Sequence, residues 1–561
     1  MSRLVNRRIR LLLAVLVLAF AVLLLRAAWL QGVRAQSLSR LGQTQHREQV
    51  ALPASRGTIF DRTGVRLALG EQATTVYADP MQIRNPRRVA AIVGQTLGID
   101  PRAAYASLAD RTRGFVYLAR QVDAAQAAGL AHRKIPGLGF LPEERRSYPQ
   151  GTVGAQVLGY VGLDDKGLAG LELQYDRDLA GAAGHQTLVK DPSGHVIDVL
   201  DDRPERQGRD VTLTLDHTIQ ANAEEILRET VAKWNAKSAT AIVLDPRTGA
   251  VLAMAVEPGY DANRYPSAPR DLQRDRAVTD TYEPGSTFKV VTVAAALSER
   301  LVSPSTEFTL PYSIHVADRV IHDAEPRGTI RFSVAQILAH SSNVGAITLA
   351  ELLGRDRLAS WISRFGFGHS TGIDFPGESP GIVLPAAKWS GSTIGNVPIG
   401  QGIAVTPVQM AAAYAAIANR GVWSRPHLLD HVEGGGRPSL RHRRIMSPGV
   451  ASQLMMMLKD VVAEGTGTYA AIPGYQVAGK TGTAQKPDAQ GGYANGQYVA
   501  SFVGTVPASR PRLVVLVAVD EPRGAIFGGV VAAPAFQQIA SFDLRYLEIA
   551  PDAPTISTTT P

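Results

Sequence analysis

The feature that most constrains this 561-residue chain is an unbroken apolar run near its start, LLLAVLVLAFAVLLL at residues 11–25. Extended from Ile9 to Leu30, the segment is about 33 Å long as an α-helix, enough to cross a hydrocarbon core of about 30 Å. We therefore predict a transmembrane anchor at residues 9–30.

Four arginines crowd the first ten residues, ahead of the apolar run. The excess of positive charge on the cytoplasmic side of membrane proteins places residues 1–8 in the cytoplasm and the rest of the chain outside. The prediction is thus a single-pass protein of the plasma or inner membrane. A cleaved signal peptide is the alternative, with Val33-Arg34-Ala35 as a passable cleavage site.

Charge and cysteine content exclude several classes of protein. The net charge of +8 is modest for this length, and no basic stripe is interleaved with aromatic residues, so nucleic-acid binding is not predicted. The chain has no cysteine, which excludes disulfides, cysteine catalysis and thiolate metal sites.

The pattern of apolar residues indicates two extracytoplasmic domains. Short strand-like runs separated by Gly, Pro and Arg turns are followed by a helical pattern at 219–234 and paired strand patterns at 238–258. Further strands at 498–506 and 512–522 enclose a helix-rich stretch, which suggests an α+β domain with an antiparallel sheet. The predicted organisation is a linker at 31–50, a first extracytoplasmic domain at 51–210, the α+β domain at 219–547 and a disordered tail at 548–561.

The stretch TYEPGSTFKVVTVAAAL at 281–297 is the first candidate for chemistry. Its apolar part fits a buried helix or a strand. On a helix, Ser286 and Lys289 share one face, and the serine lies at the positive end of the helix dipole. A lysine in apolar surroundings loses proton affinity and can take a proton from a neighbouring hydroxyl. The alternative is a capping serine with a solvated lysine.

Two later motifs favour the chemical interpretation. HSSNVG at 340–345 contributes Ser341 and Asn343, and AGKTGTAQK at 478–486 contributes Lys480, Thr481, Gly482 and Thr483. Each motif alone is weak. Together, in the order Ser-x-x-Lys, Ser-x-Asn and Lys-Thr-Gly, they are the motif set of serine penicillin-binding proteins and related β-lactamases.

The chain resembles a class B penicillin-binding protein, a monofunctional peptidoglycan D,D-transpeptidase, over nearly its full length. The stretches that carry the resemblance are YEPGSTFK, SSNVG, GKTGTAQK, YVASFVGTVP, RGTIFDRTG and GLAGLELQYDRDLAG, while GIDFPGE and IGQGIAVTPVQMAAAYAAIANRG look like the division-associated (septal) branch. The resemblance implies a transpeptidase domain like that of serine β-lactamases, an antiparallel sheet plus a helical subdomain, at 219–547. It also implies that residues 51–210 form an elongated, β-rich and non-catalytic pedestal domain of the dimerisation type.

The resemblance assigns a role to each motif residue. Ser286 would attack the penultimate D-Ala carbonyl of a stem peptide, with Lys289 as general base; the pKa of Lys289 would be lowered by burial and by Lys480. Ser341 would relay a proton to the leaving nitrogen, and Asn343 would hold Lys289 and the substrate amide. The remaining assignments are an oxyanion hole from the Ser286 and Thr483 N–H groups, a Gly482 that lets the substrate approach closely, and a carboxylate site from Lys480, Thr481 and Thr483.

The implied reaction requires no cofactor or metal. The implied partners are stem peptides ending in D-Ala-D-Ala, β-lactams bound covalently, the cytoplasmic membrane, a membrane glycosyltransferase and division proteins. Two alternatives share the motifs: a β-lactam hydrolase or sensor, and a catalytically idle scaffold of the division machinery. The long pedestal argues against the first, and the intact motif residues argue against the second.

Overall fold

The computed structural model forms two compact units. The first unit comprises Met1–Ser55 and Gly181–Gly208, and the second comprises Arg56–Ala180 and Arg209–Pro561. The residues that the structure describes are 2–34, 47–52, 54–190, 196–488 and 492–553.

The strands are named here in chain order. They are β1 (Arg47–Leu52), β2 (Ile59–Phe60), β3 (Arg66–Ala78), β4 (Val116–Asp123), β5 (Leu138–Ser147), β6 (Gly184–Lys190), β7 (Val196–Arg203), β8 (Val211–Leu213), β9 (Ser238–Leu244), β10 (Val251–Glu257), β11 (Glu307–Leu310), β12 (Ser313–Val316), β13 (Arg319–His322), β14 (Ile330–Ser333), β15 (Val422–Ser424), β16 (Leu429–Val432), β17 (His442–Arg444), β18 (Ala478–Pro487), β19 (Tyr493–Val506) and β20 (Leu513–Asp520).

The α-helices are named in the same way. They are α1 (Ser2–Ala28), α2 (Pro86–Leu97), α3 (Pro101–Ala109), α4 (Ala124–Ala131), α5 (Ala155–Leu158), α6 (Gly170–Gln174), α7 (Asp176–Leu179), α8 (His217–Trp234), α9 (Arg276–Thr279), α10 (Lys289–Ser298), α11 (Val334–Ala339), α12 (Asn343–Leu353), α13 (Arg355–Phe365), α14 (Thr393–Asn396), α15 (Pro407–Ala418), α16 (Pro448–Ala463), α17 (Gly528–Val531) and α18 (Ala533–Tyr546).

The first unit contains the apolar N-terminal helix and a small sheet. Helix α1 continues into a π-helical turn at Trp29–Val33, and the stretch Arg3–Gly32 is the one segment of the described residues long and apolar enough to cross a membrane. The sheet has the antiparallel order β1-β6-β7. Strand β1 begins at Arg47, so the end of the predicted linker is strand, while linker residues 35–46 lie outside the described residues.

The central sheet of the second unit has the antiparallel order β10-β9-β20-β19-β18. Strands β9 and β10 are buried along their whole length, and β20 along all but its last residue, because helices cover both faces of the sheet. Helices α8 and α18 share one apolar core with one face, while α10, α15 and α16 contribute to the core on the other face. The predicted α+β architecture is confirmed, with β18 as an edge strand.

A second sheet runs through the pedestal in the order β16-β8-β2-β3-β4, with β5 also paired to β3. Beside it, Arg56 lies fully buried and pairs with Glu172 at 2.8 Å and Asp176 at 2.8 Å, while Arg146 pairs with Glu172 at 2.6 Å. Each buried charge therefore has a partner of opposite sign, which a buried charge requires. Strand β16 lies far along the chain, within the predicted transpeptidase range.

A hydrogen bond links the pedestal to the GIDFPGE motif. The Tyr175 hydroxyl donates to Asp374 at 2.5 Å, and the same carboxylate accepts the backbone N–H groups of Leu428 and Leu429. This aspartate fixes the chain just before β16. The motif thus connects the pedestal to the start of β16.

The predicted disordered tail starts too early. Asp552 accepts hydrogen bonds from the backbone of Gln476 at 2.7 Å and of Ser509 at 3.0 Å, and Ile549 is buried. These contacts hold residues up to 553 against the second unit. The rest of the predicted tail, 554–561, lies outside the described residues.

Candidate active site

Ser286 lies in a short 3₁₀ helix, Gly285–Phe288, that leads directly into α10. The helical alternative for this stretch is therefore the correct one, and the i and i+3 side chains of a 3₁₀ turn eclipse each other. Gly285 has φ +56°, and a Cβ there would lie 3.0 Å from the carbonyl oxygen of Thr483. A glycine thus lets the serine-bearing turn lie against β18.

Lys289 is the first residue of α10 and is only 1% exposed. Its Nζ donates hydrogen bonds to the Ser341 carbonyl, to Ser341 Oγ at 3.2 Å and to Asn343 Oδ1 at 2.7 Å. Burial lowers the pKa of Lys289 to about 7, against the opposing effect of the Asp323 carboxylate. An amine with that pKa is partly unprotonated at neutral pH and able to accept a proton.

The Ser-Ser-Asn motif forms the junction between α11 and α12. Ser341 has φ +59°, an unusual value for a residue with a side chain, and Ser342 caps α12 by accepting the Gly345 N–H. Asn343 opens α12 and donates its Nδ2 to the His322 carbonyl at 2.9 Å. The strained turn and the cap aim Ser341 and Asn343 at the same amine.

Asp323 holds this junction and was not predicted from the sequence. Its carboxylate, 8% exposed, accepts the backbone N–H groups of Asn343 at 2.5 Å and Val344 at 3.0 Å and the Ser342 hydroxyl at 3.0 Å. It also forms an ion pair with Arg327. A lone aspartate directly after a hairpin carries no motif, so only the contacts in the folded protein reveal it.

Lys480 lies on edge strand β18, paired with Val503 of β19. It is fully buried, and its Nζ donates to Thr481 O and Oγ1, both at 3.3 Å. Burial, and then the charge of Lys289, lower the pKa of Lys480 well below its usual range. The prediction that Lys480 lowers the pKa of Lys289 is therefore wrong: burial lowers the pKa of Lys289, and the coupling of the two lysines acts on Lys480.

The two threonines of the Lys-Thr-Gly-Thr stretch differ in their exposure to solvent. Thr481 is 7% exposed, and its hydroxyl is hydrogen-bonded to Thr466 Oγ1 at 2.7 Å. Thr483 is less buried, and its hydroxyl accepts the Gly528 N–H at 3.1 Å. Because β18 is an edge strand, alternate backbone groups on its outer side have no partner in the sheet.

Gly482 is required for a contact within the protein. A Cβ there would lie 2.3 Å from Ser501 Oγ, 2.9 Å from the Pro284 carbonyl oxygen and 3.0 Å from Thr287 Cγ2. The crowding therefore involves the serine-bearing turn, whereas we had predicted crowding of the substrate. Glycine allows the turn and β18 to meet.

One group of described residues has donors close enough to suggest a metal site: Asp61, Asp216 and His217. It lies at the start of α8 and includes none of the motif residues. His217 Nδ1 is 2.7 Å from Asp61 Oδ2, and the same oxygen also accepts the His217 backbone N–H. Asp61 and the His217 ring thus satisfy each other by hydrogen bonding, whereas Asp216 Oδ2 has no hydrogen-bond partner among the described residues and lies 3.6 Å from Arg62 Nη1.

Comparison with known proteins identifies the family. Residues 239–541 match the model of the penicillin-binding protein transpeptidase domain, and residues 51–213 match that of the penicillin-binding protein dimerisation domain. The chain is 33% identical to the peptidoglycan D,D-transpeptidase FtsI of Escherichia coli K12, over 98% of this chain and 94% of the relative. It is also 33% identical to stage V sporulation protein D of Bacillus subtilis, over 98% and 87%.

Solved structures agree in fold. Penicillin-binding protein 3 from Mycobacterium tuberculosis in complex with aztreonam has a TM-score of 0.72 and 31% identity, covering 90% of this chain and 99% of that chain. A peptidoglycan synthetase from Bifidobacterium adolescentis has a TM-score of 0.74 and 28% identity, covering 91% and 98%. With its motif residues gathered in one site, and with both domain matches and full-length relatives, the chain belongs to the class B penicillin-binding proteins.

Proposed function

We propose that the protein is a serine-type peptidoglycan D,D-transpeptidase. The observation that carries the proposal is the buried Lys289 amine, with a pKa near 7, hydrogen-bonded to Ser341 and Asn343 one helical turn from Ser286. A neutral amine at that place can activate a serine hydroxyl for attack on an acyl donor. The name of the full-length relative from Escherichia coli supplies the substrate class, peptidoglycan, and the motif resemblance supplies the stem peptide as the acyl donor.

The proposed reaction has two acyl transfers. Lys289 takes the Ser286 proton as Oγ attacks the D-Ala carbonyl, and Ser341 passes a proton to the leaving D-Ala amine. The Ser286 and Thr483 N–H groups stabilise the oxyanion. An amine of a second stem peptide then attacks the acyl-enzyme and forms the crosslink, releasing Ser286. The Lys480 side chain and the Thr483 hydroxyl hold the terminal carboxylate, while the buried Thr481 positions Lys480.

The same acyl-enzyme chemistry predicts covalent β-lactam binding. A β-lactam offers a strained amide to Ser286. Its amide nitrogen stays attached to the acyl group after the ring opens, so no amine departs and no space is left for an acceptor. The structural relative solved with aztreonam supports this assignment. We further propose a septal role, supported by the division-type GIDFPGE and IGQGIAVTPVQM stretches.

The proposed setting is a single-pass membrane protein with residues 1–8 in the cytoplasm and the catalytic domain outside. The apolar stretch Arg3–Gly32 and the arginines beside it support this orientation. The partners proposed by resemblance are a membrane glycosyltransferase, which would supply uncrosslinked glycan strands, and division proteins.

Uncrosslinked glycan strands separate the proposal from its alternatives. The full chain, in detergent, is incubated with strands carrying pentapeptide stems, and D-Ala release and dimeric muropeptides are both measured. A transpeptidase yields both products, and Ser286→Ala yields neither. D-Ala release without dimers would indicate a hydrolytic enzyme. No product from a chain that still binds penicillin covalently would contradict an independent transpeptidase and indicate an enzyme that needs its membrane partner.

A further inference from the structure

A large groove lies at the end of α10 that is remote from the catalytic lysine. It has a volume of about 910 Å3 and is bounded by the end of α10, by α13 and by the start of α16. Lys289 begins α10 and Ser298 ends it, so the groove and the catalytic amine are separated by about 15 Å of helix. None of the motif residues lines it.

The groove is basic. Its charged lining residues are Arg300, Arg364, Arg444 and Glu299, and none of the three arginines has a carboxylate within ion-pair distance anywhere in the described residues. The single acid, Glu299, accepts the Trp361 indole N–H through Oε1 at 2.9 Å, and three arginines against one acid leave the lining with a net charge of +2. Exposed arginines in the rest of the second unit commonly do have such partners, as Arg228 and Arg247 do.

Two of these guanidinium groups are held in place by other contacts. Arg364 lies over the Trp361 ring with its Cζ 4.7 Å from the ring centroid, and Arg444 Nη1 donates to the Arg420 carbonyl at 2.9 Å. Helix α16 begins at the groove with no acidic residue in its first turn, so its positive dipole end adds to the field. Preorganised, unpaired arginines favour carboxylate or phosphate ligands.

The uncharged part of the lining is mixed. Leu301, Val302 and Val450 present partly exposed apolar side chains to the groove, beside the polar Ser298, Ser303 and Gln453. A single phosphate would fill a small part of 910 Å3 and would leave this apolar surface uncovered. An extended peptide that carries both acidic and apolar side chains matches both the charge and the floor of the groove.

We propose that this groove is a docking site for an extended acidic segment of a partner protein, with glutamate or aspartate side chains on the three arginines and apolar side chains on the floor. The interaction is separate from catalysis. It predicts binding that weakens as salt is added, because the arginines are exposed to solvent.

The test uses the full chain in detergent and a short fluorescein-labelled peptide in which glutamates alternate with leucines. Binding is followed by fluorescence anisotropy at low and high salt. Arg300→Glu and Arg364→Glu should each weaken binding by about tenfold or more, as expected when one partner of a charge pair is reversed. Arg113→Glu, an exposed arginine of the pedestal, is the matched control and should change the affinity by less than about twofold.

Covalent labelling of every variant with fluorescent penicillin reports folding and the catalytic site independently. The proposal expects unchanged labelling alongside weakened peptide binding. Equal affinity in the groove variants would overturn it, as would equally tight binding of a peptide with glutamines in place of the glutamates. Binding of polyphosphate but not of the acidic peptide would also overturn it and would assign the groove to a phosphate polymer.

Discussion

Asp323→Asn is expected to shift the pH dependence of acylation and to lower its maximum. The asparagine keeps one carbonyl oxygen for the N–H groups of Asn343 and Val344 but loses the negative charge that favours protonated Lys289. Lys289, whose pKa is about 7, should therefore lose its proton at lower pH. The acylation rate rises as this amine becomes neutral, so the midpoint of the rise should move to lower pH.

The maximum rate falls for a different reason. The charge-assisted bonds from the Ser342 hydroxyl and from Arg327 to Asp323 are lost, each of a kind worth about 1.5–3 kcal/mol. If one such amount is lost in positioning the junction, the maximum rate falls about 10- to 150-fold. The assay is the second-order rate of labelling by fluorescent penicillin across pH, with Asp318→Asn, an exposed change in the preceding hairpin, as control. A midpoint that stays fixed or moves to higher pH would refute the electrostatic reasoning.

Three further substitutions test other parts of the structure. Gly482→Ala should abolish most labelling while the protein stays folded, because its Cβ would press on the Pro284 carbonyl; normal labelling would show that the turn has room. Burial raises the pKa of Glu224 to about 7, so its stabilising contribution is complete below its unfolded pKa near 4.5 and is lost as pH rises through 7. Between about pH 5 and pH 8 the free energy of unfolding of the wild type should therefore fall by up to about 3 kcal/mol more than that of Glu224→Gln. Thermal unfolding of both proteins across this pH range measures the difference, and an equal pH dependence of their melting temperatures would contradict the prediction. Tyr175→Phe should destabilise the protein by about 1.5–3 kcal/mol through loss of the bond to Asp374, measured by thermal unfolding, and an unchanged melting temperature would argue against that bond.

The sequence predicted those helices and strands whose residue pattern lies within the element itself. The Asp-Pro-Arg-Thr-Gly turn signal between β9 and β10 and the apolar runs of β19 and β20 predicted these strands, and the apolar spacing after Asp216 predicted α8. The stretch after Ser286 was ambiguous because its valines suit a strand as well as a helix. The structure shows a helix, α10, that is buried on almost every side, and only the tertiary packing decides between the two.

The residues of the site likewise fall into those that the sequence predicted and those that only the structure reveals. The three motifs, taken together and in order, predicted the residues that the structure gathers around Lys289, because that order can be recognised from the sequence alone. Asp323 was missed because its role depends on contacts with Asn343 and its neighbours in a later helix. The reason for Gly482 was also missed, since the Pro284 carbonyl that crowds it lies nearly two hundred residues earlier in the chain. Such long-range contacts leave no local pattern.

The central claim is that Ser286 is a nucleophile activated by Lys289 for transfer to an amine. The most direct measurement is intact-mass and peptide mass spectrometry of the protein incubated with fluorescent penicillin and followed over hours. The account predicts a long-lived adduct on the peptide containing Ser286, absent from Ser286→Ala and formed faster as pH rises through about 7. An adduct that forms and disappears within seconds, or one on another residue, would contradict it.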